Sequence, residues 1–434
     1  MQRWVAECRK IAAWAANNAF RLMRFVPVSL NPRSLPRSIA RIAERVRERQ
    51  RIRSEPSQKR DRDPRVDFFR GLALWFIFLD HIPANAIGEF TLRNFGFSDA
   101  TEIFVFISGY SAAIAYGRTD RRFGFTFMTA HVWRRCWQLY VAHLILFVFY
   151  TAQIAYLAAR FSNPMYVEEL NITRFLDAPH IALIEALTLR FRPANLDILP
   201  LYIVMLFVFP FALRALRVAP LACLAVSVAM YLAARFLGWN FPTAVPGEGW
   251  YFNPFAWQLL FVIGALCALA PPSWKPVMRW RAWLGLVAAV YLLLSIAVVV
   301  SWRITSLGDA MPLWLAEFLY PVDKTNLDIL RLMHFLALAY LLAHFIPDDA
   351  RFLRQRWASP LVACGRQSLY VFCLGIFLSF AAHFLLTELN GPLVLQLAVS
   401  VAGLALMTAL AVLMNWYRAR ESAGPRKSTR AVNG

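Results

Sequence analysis

The sequence carries little charge and few cysteines for its length. Only 17% of its 434 residues are charged, whereas 59% are hydrophobic. A soluble domain of this length cannot bury so much apolar surface, which excludes an ordinary water-soluble fold. The six cysteines avoid the predicted outer loops, so structural disulfides are not expected. Neither they nor the seven histidines have the spacing of a metal site.

Acidic residues are also scarce, at 26 Asp and Glu against 46 Lys and Arg, which gives a formal net charge of +20. In a soluble chain this excess would suggest nucleic-acid binding. Here the basic residues lie between apolar runs and at the two ends, with 17 of them in the first 67 residues. This distribution is typical of membrane topology, because cytoplasmic loops collect Lys and Arg.

The long apolar runs predict an all-α polytopic membrane protein with about ten transmembrane helices. Each helix needs roughly 20 apolar residues to cross a hydrocarbon core about 30 Å thick. The shorter run at 178–192 predicts an interfacial helix, because counting it as a span would place the basic 351–356 loop and the C-terminal tail outside. The ten predicted spans lie at 68–84, 99–117, 136–159, 197–213, 218–237, 254–270, 282–301, 327–346, 361–386 and 392–416.

Two basic tails flank a predicted transmembrane domain at 66–416, and both are expected to be cytoplasmic. The first, at 1–65, lacks an uninterrupted apolar segment followed by a cleavage site, so it does not read as a signal peptide. It is expected to be a disordered, solvated tail that sets topology. Alternatively, 39–53 forms an amphipathic helix on anionic lipid. The second tail, at 417–434, is interpreted in the same way.

The first predicted span carries ionisable residues at both ends, and such residues inside a membrane are expensive enough to suggest function. Arg70 lies near its cytoplasmic end and His81 near its outer end. Eleven residues separate them, which on a helix places both within about 20° of one face and roughly 16 Å apart. One face is therefore predicted to present a cation inside and an imidazole outside.

Three carboxylates are expected at the depth of His81. Asp80 precedes it, and Asp99 and Glu102 begin the second predicted span. A carboxylate beside an imidazole can orient the ring and support it as a general base. The alternative, which stays open, is that the acids cap the helix, since Ser98 and Asp99 are good N-cap residues.

Further polar residues fall at the same predicted outer layer, and their number predicts a water-accessible cavity open to the outside. Each could instead be an individually satisfied core group. Basic residues at the inner side could hold an anionic ligand, although topology alone also explains them. The outer set is Asn195, Asp197, Asn253, Trp257, Gln258, Lys324, Asn326, Asp328, Arg331 and His334, and the inner set is Arg70, Arg134, Arg135 and Arg366.

Several stretches resemble the OpgC family of bacterial transmembrane acyltransferases, over roughly residues 62 to 416. These enzymes are related in outline to acyltransferase-3 proteins, and family members are implicated in succinylating osmoregulated periplasmic glucans. The matching stretches are Arg65-Val-Asp67-Phe-Phe-Arg70-Gly71, Asp80-His81-Ile-Pro83, Ser98-Asp99-Ala-Thr-Glu102, Leu196-Asp197-Ile-Leu-Pro200, Asn253-Pro-Phe-Ala-Trp257-Gln258, Lys324-Thr-Asn326-Leu-Asp328 and Gly365-Arg366-Gln-Ser368.

This resemblance implies an enzyme of the bacterial inner membrane that moves an acyl group, succinyl in the family, from cytoplasmic acyl-CoA to a sugar hydroxyl of a periplasmic glucan. No permanently bound cofactor, metal or nucleic acid is expected. His81 would act as general base or acyl acceptor, with Asp80, Asp99 or Glu102 orienting it. The inner arginines would bind the donor, and the outer polar set would bind the acceptor, with Trp257 offering an apolar face to a sugar ring.

Two other classes of function remain open at this point. A proton-coupled transporter or flippase of a polar glycan would use the same outward cavity, with His81, Asp99 and His334 as a proton relay. Its usual sign, internally repeated halves, is not visible in the sequence. A membrane scaffold or sensor without catalytic activity would tolerate loss of His81.

Overall fold

The computed structural model describes residues 63–270, 279–309 and 311–422. The predicted N-terminal tail, including 39–53, lies outside this part of the chain apart from its last three residues. The C-terminal tail beyond Ser422 lies outside it as well. The described residues are helical and contain no β-strand beyond an isolated bridge between Pro242 and Gly249.

The first helix shows how local sequence sets the boundaries. Asp63 accepts a hydrogen bond from the Arg65 backbone N–H, and Pro64 occupies the first turn, where a missing N–H costs nothing. The helix ends at Asp80, four residues earlier than predicted. Two 3₁₀ turns, Ala86–Phe90 and Leu92–Asn94, follow it. The first three helices are α1 (Pro64–Asp80), α2 (Ala100–Phe123) and α3 (Phe125–Phe161).

The central helices follow after short connecting segments. The predicted interfacial helix is a nine-residue helix that begins at a proline, and two short helices precede it. In chain order they are α4 (Met165–Glu169), α5 (Thr173–Asp177), α6 (Pro179–Leu187), α7 (Ile198–Val218), α8 (Pro220–Phe236) and α9 (Pro254–Leu269).

The remaining helices include one that departs from prediction. The predicted ninth span, 361–386, is two helices, because the backbone leaves helical geometry at Gln367 (φ −115°, ψ 33°). A 3₁₀ turn, Arg351–Arg354, precedes the break. The helices are α10 (Ala282–Ser301), α11 (Thr305–Asp309), α12 (Leu313–Leu319), α13 (Ile329–Phe345), α14 (Ser359–Arg366), α15 (Ser368–Glu388) and α16 (Leu393–Ser422).

Five helices of the described chain are long and apolar enough to cross a membrane, namely α3, α7, α10, α15 and α16. Three more, α8, α9 and α13, are apolar but shorter. These helices give the chain the character of a multi-pass membrane protein. The predicted number of ten spans stays a prediction, since α1, α2 and the three shorter apolar helices are not among the five.

Helices α1 and α14 cross at two glycines. A Cβ atom on Gly71 would lie 1.9 Å from the Leu361 carbonyl oxygen, and one on Gly365 would lie 1.8 Å from that of Asp67. No side chain fits at such distances, so the backbones of the two helices are in direct contact. Small residues allow this kind of close approach between membrane helices.

Helices α2 and α9 form a second crossing of the same kind. A Cβ on Gly109 would lie 2.0 Å from the Phe261 carbonyl oxygen, and one on Gly264 would lie 2.2 Å from that of Phe106. The two crossings hold α1, α2, α9 and α14 at positions that any added methyl group would disturb.

Adding one methyl group at the second crossing is expected to destabilise the protein. Gly264→Ala forces α2 and α9 apart, which we expect to cost about 1 to 3 kcal/mol and to lower the thermal unfolding midpoint in detergent. Gly375→Ala is the matched control, because its Cβ would make only ordinary van der Waals contacts with the Met407 and Phe78 side chains, the nearest atom being 3.4 Å away. Equal unfolding midpoints for the two variants would contradict the proposed backbone contact.

Candidate active site

A cavity of about 260 Å³ lies at one end of α1 and α7, beside the segments that precede α7, α9 and α13. Its polar wall contains four of the predicted site residues, which the fold brings together from three separate stretches of sequence. The polar lining is His81, Thr101, Asn195, Asp197 and Lys324, and the apolar lining is Ile77, Ala194, Ile198, Tyr251, Phe252 and Phe372.

The His81 ring has a defined tautomer. His81 is the C-cap of α1, and its Nδ1 lies 2.5 Å from the Ile77 carbonyl oxygen. A carbonyl oxygen only accepts hydrogen bonds, so Nδ1 carries the ring proton and is the donor of this hydrogen bond. The neutral ring therefore has its lone pair on Nε2, which is the form required of a general base.

Asp80 does not orient this ring, although it is the preceding residue. Its carboxylate accepts a 2.5 Å hydrogen bond from the Thr91 hydroxyl and lies 3.5 Å from the Arg93 guanidinium. Successive helical residues point about 100° apart, and Asp80 faces the 3₁₀ turns that follow α1. Its role in the structure is to hold those turns against the helix end.

Asp99 and Glu102 form a capping box at the start of α2. The Asp99 carboxylate accepts a hydrogen bond from the Thr101 backbone N–H (2.7 Å), and the Glu102 carboxylate accepts one from the Asp99 backbone N–H (2.8 Å). The capping alternative is therefore what the structure shows. Among the described residues, neither carboxylate has a hydrogen bond to His81.

The same carboxylates also anchor a buried ion network, defined here as Asp99, Glu102, Lys324 and Arg331. Arg331 donates to Glu102 (2.8 Å) and to Asp99 (3.0 Å), and the Lys324 ammonium donates to Asp99 (2.6 Å). Two cations balance two anions. Buried charges remain ionised only when paired in this way, so the network ties the start of α2 to α13 and to the loop before it.

Lys324 is the member of the ion network that lines the cavity. Burial disfavours its charge, but the adjacent Asp99 carboxylate together with Tyr251 and Glu102 outweighs that effect, and the pKa of Lys324 is raised above its ordinary value. Its ammonium also lies 5.6 Å from the centre of the Phe252 ring. The cavity wall therefore keeps a positive charge at neutral pH.

A second ion pair supports the opposite side of the cavity. Arg192, whose side chain is only 4% exposed, donates to Asp197 (2.8 Å) and lies over the Trp250 ring at 4.4 Å. Asn195 adopts a left-handed backbone (φ 73°) and donates weakly to the Tyr150 hydroxyl at 3.4 Å. Arg192 thus links a segment that was predicted to be interfacial to the cavity wall.

Trp257 and Asn253 are not at the cavity, although both were predicted to contact the acceptor. Trp257 is completely buried and donates to the carbonyl oxygens of Lys324 (3.1 Å) and Thr325 (3.2 Å). Asn253 is also completely buried and donates to Asn326 (2.8 Å). These bonds position the 323–328 loop, so both residues act on the cavity through Lys324.

Other predicted acceptor residues also have structural partners. They stabilise helix ends and packing around the cavity, and none of them lines it. Gln258 accepts a hydrogen bond from the Ser227 hydroxyl, and His334 is hydrogen-bonded to Ser98. Asp328 caps α13 and forms an ion pair with Arg235.

The predicted donor-binding arginines lie elsewhere. Arg70 donates to the Ser111 hydroxyl (2.5 Å) and to the Ile107 carbonyl oxygen (3.3 Å), which joins α1 to α2. Arg134 is exposed on α3. The other two have partners nearby, Arg135 with Gln138 and Arg366 with Asp67.

The aromatic part of the cavity was missed at the sequence level. Tyr251 and Phe252 immediately precede the predicted polar block at Asn253, and Phe372 lies on α15. The first two could have been found, because they occupy a predicted outer loop next to predicted site residues. Phe372 could not, since it is one of many phenylalanines in an apolar run.

Removing the guanidinium of the ion network should be costly. Arg331→Met leaves Glu102 without its cation and Asp99 with one partner fewer, and we expect a loss of about 3 to 5 kcal/mol, measured as a lower thermal unfolding midpoint in detergent. Arg93→Met removes the exposed partner of Asp80 and should cost about 1 kcal/mol or less. An unfolding midpoint for Arg331→Met equal to that of the wild type would exclude a stabilising role for the network.

Comparison with known families gives a match that includes the cavity residues. A search of curated proteins finds no match to the chain. A family model described as OpgC protein matches residues 62–419, which is most of the chain and includes every residue that lines the cavity. The resemblance seen in the sequence is thereby confirmed, and the chain belongs to the OpgC family.

Proposed function

We propose that this protein is an inner-membrane O-acyltransferase that moves a succinyl group from cytoplasmic acyl-CoA to a sugar hydroxyl of a periplasmic glucan. Membership of the OpgC family suggests a membrane acyltransferase-like role. The succinyl group, the glucan and the histidine mechanism are our proposal. Both chain termini lie in the cytoplasm in this scheme, as the distribution of basic residues predicts.

One observation carries the mechanism: a histidine of defined tautomer lines a cavity that is also lined by a half-buried ammonium group. His81 donates from Nδ1 to Ile77, so its neutral ring has a basic Nε2. Lys324 supplies the positive charge. A general base and a cation at one small cavity are the two groups that acyl transfer to a hydroxyl requires.

The proposed reaction accounts for every proton and for each bond that forms or breaks. His81 Nε2 accepts the proton of the sugar hydroxyl, and the sugar oxygen attacks the thioester carbonyl carbon. The carbon–sulfur bond then breaks, and the CoA thiolate leaves and takes up a proton from the imidazolium. In a covalent variant, Nε2 attacks the thioester carbonyl carbon and the CoA thiolate leaves. The sugar oxygen then attacks the acyl group, its proton passes to the thiolate, and the carbon–nitrogen bond breaks to restore the neutral ring.

Lys324 has a separate role in this proposal. The attack places negative charge on the carbonyl oxygen, and an ammonium held in a fixed position stabilises such charge. A succinyl group also carries a free carboxylate, which the same cation would attract. Asp99 holds the ammonium in place at 2.6 Å, so Asp99 and Arg331 act as positioning residues.

The aromatic side of the cavity suits a sugar ring. Tyr251 is 48% exposed and its ring lies 4.9 Å from that of Phe252, so the two present an apolar surface beside Asp197. Sugars combine apolar ring faces with hydroxyl groups, and this wall offers a partner for each. We assign the sugar contact to Tyr251, in place of the buried Trp257.

For the donor, we favour Arg70 and Arg135 among the predicted arginines. Arg70 is buried between α1 and α2, and Arg135 is half-buried on α3, whereas Arg134 is exposed. Guanidinium groups suit phosphates. Arg70 lies about 16 Å along α1 from His81, so the acyl arm of the donor would run beside this helix.

Removing the proposed base should abolish most of the activity. Purified His81→Ala is expected to transfer labelled succinyl from succinyl-CoA to glucan about 10² to 10⁴ times more slowly than wild type. The control is His180→Ala, at an exposed position outside the cavity. Both variants should unfold at the wild-type temperature.

Undiminished transfer by a folded His81→Ala variant would remove this histidine from the mechanism. Glucan movement across vesicles without acylation would favour a transporter instead. A labelled protein formed with donor alone, and absent in His81→Ala, would select the covalent variant of the reaction.

The sugar contact can be tested separately from the chemistry. Tyr251→Ala should raise the KM for the glucan by up to about tenfold with a smaller change in kcat, because an aromatic face contributes binding more than catalysis. Tyr320→Ala provides a control with a similarly exposed ring that does not line the cavity. An unchanged KM in Tyr251→Ala would place the sugar elsewhere.

A further inference from the structure

A second pocket, of about 340 Å³, lies at the opposite end of the bundle from the His81 cavity. It is formed by the 3₁₀ turn Arg351–Arg354, α14 and the last third of α16, at the side that the basic residues predict to be cytoplasmic. The residues used below are Arg354, Gln355, Val362, Arg366, Val412 and Asn415, all of which line it.

The pocket is positively charged. Arg366 is 48% exposed, and its ion pair with Asp67 is long, at 3.4 Å. Arg354 is exposed and has no ion pair or hydrogen bond to its side chain among the described residues. No acidic residue lines the pocket within the described chain. Two guanidinium groups with open donor positions suit a phosphate.

Polar groups that are already fixed complete the pocket floor. Gln367 donates to the Asn415 side-chain oxygen at 2.7 Å, and Asn415 in turn lies 3.5 Å from the Ala363 carbonyl oxygen. These contacts join α14 and α16 at the base of the pocket. The site is therefore a shaped cleft between two helices and more than a set of charged residues on a surface.

The surroundings indicate that the ligand comes from the bilayer. Helix α16 is the least buried of the five candidate spans, with 22% of its apolar window covered. Val412, on the pocket wall, is 54% exposed, and Arg418 follows less than two turns later with its guanidinium over Tyr370 at 5.8 Å. An apolar wall beneath basic and aromatic residues is what the boundary between headgroups and acyl chains requires.

We propose that this pocket binds the phosphate headgroup of an anionic phospholipid. Arg354 and Arg366 contact the phosphate, while Val362 and Val412 contact the start of an acyl chain. This assignment removes Arg366 from the predicted donor-binding set. Basic pockets between membrane helices on the cytoplasmic side are suited to such headgroups.

Lipid retention measures the site directly. The full chain is purified into detergent containing equal amounts of phosphatidylglycerol and phosphatidylcholine, and bound lipids are counted by native mass spectrometry. We expect enrichment of phosphatidylglycerol in wild type and a fall in that enrichment of roughly fivefold for each arginine in Arg354→Gln/Arg366→Gln. The matched control, Arg351→Gln/Arg356→Gln, removes two exposed charges next to the pocket and should retain the enrichment.

An equal fall in both double variants would overturn the proposal, because diffuse surface charge would then explain the lipid. The proposal is also overturned if adenosine 3′,5′-bisphosphate or inorganic phosphate binds wild type but not the pocket variant while lipid enrichment is unchanged. Since Arg366→Gln also removes the contact with Asp67, Arg354→Gln alone is measured as well, and it should lose about fivefold. The readout uses no acyl transfer, so its outcome is independent of the proposed function.

Discussion

The buried pairing of Asp99 and Glu102 with Lys324 and Arg331 is the interaction on which the cavity depends. At this depth a carboxylate without a cationic partner would not stay ionised. Burying a guanidinium without an anionic partner would also be energetically unfavourable. Pairing resolves both problems, and it does so only if α2, α13 and the loop before α13 meet at one point. The free energy of burying charge thereby fixes the position of Lys324 in the cavity wall.

Backbone contact provides the second constraint. Hydrophobic burial gives little preference for one helix over another inside lipid, since acyl chains are as apolar as leucine. The glycines of α1, α2, α9 and α14 supply the missing specificity, because a residue without a side chain allows the carbonyl groups of the facing helix to approach this closely. Helix α1 carries His81 at its end, so its crossing with α14 also sets where the imidazole lies.

Much of this arrangement was predictable from sequence, and the failures have identifiable causes. Apolar length located most of the helices within a few residues, and the expense of intramembrane charge drew attention to His81, Asp99 and Lys324. The break at Gln367 was missed because the predicted ninth span was continued across the polar residues Arg366, Gln367 and Ser368. The OpgC resemblance was correctly identified, since its first motif is a local pattern of several residues.

The distribution of roles within the site was less accessible. Trp257 and Asn253 have the composition of sugar-binding residues, and only their burial reveals that they support a loop. Asp80 adjoins His81 in sequence but faces Thr91, because helical geometry separates neighbours. Depth in the membrane can be read from a sequence, whereas the direction in which a side chain points depends on contacts between distant segments.

The bond from His81 to Ile77 restricts how the imidazole could move. The ring is fastened to the last turn of its own helix, through the same carbonyl oxygen that accepts the backbone N–H of His81 at 3.2 Å. Swinging it away would break this side-chain hydrogen bond. In the proposed mechanism, an imidazole held in this way would not carry the acyl group across the membrane. Both reactants would have to reach the ring, the donor by means of its long flexible thioester arm.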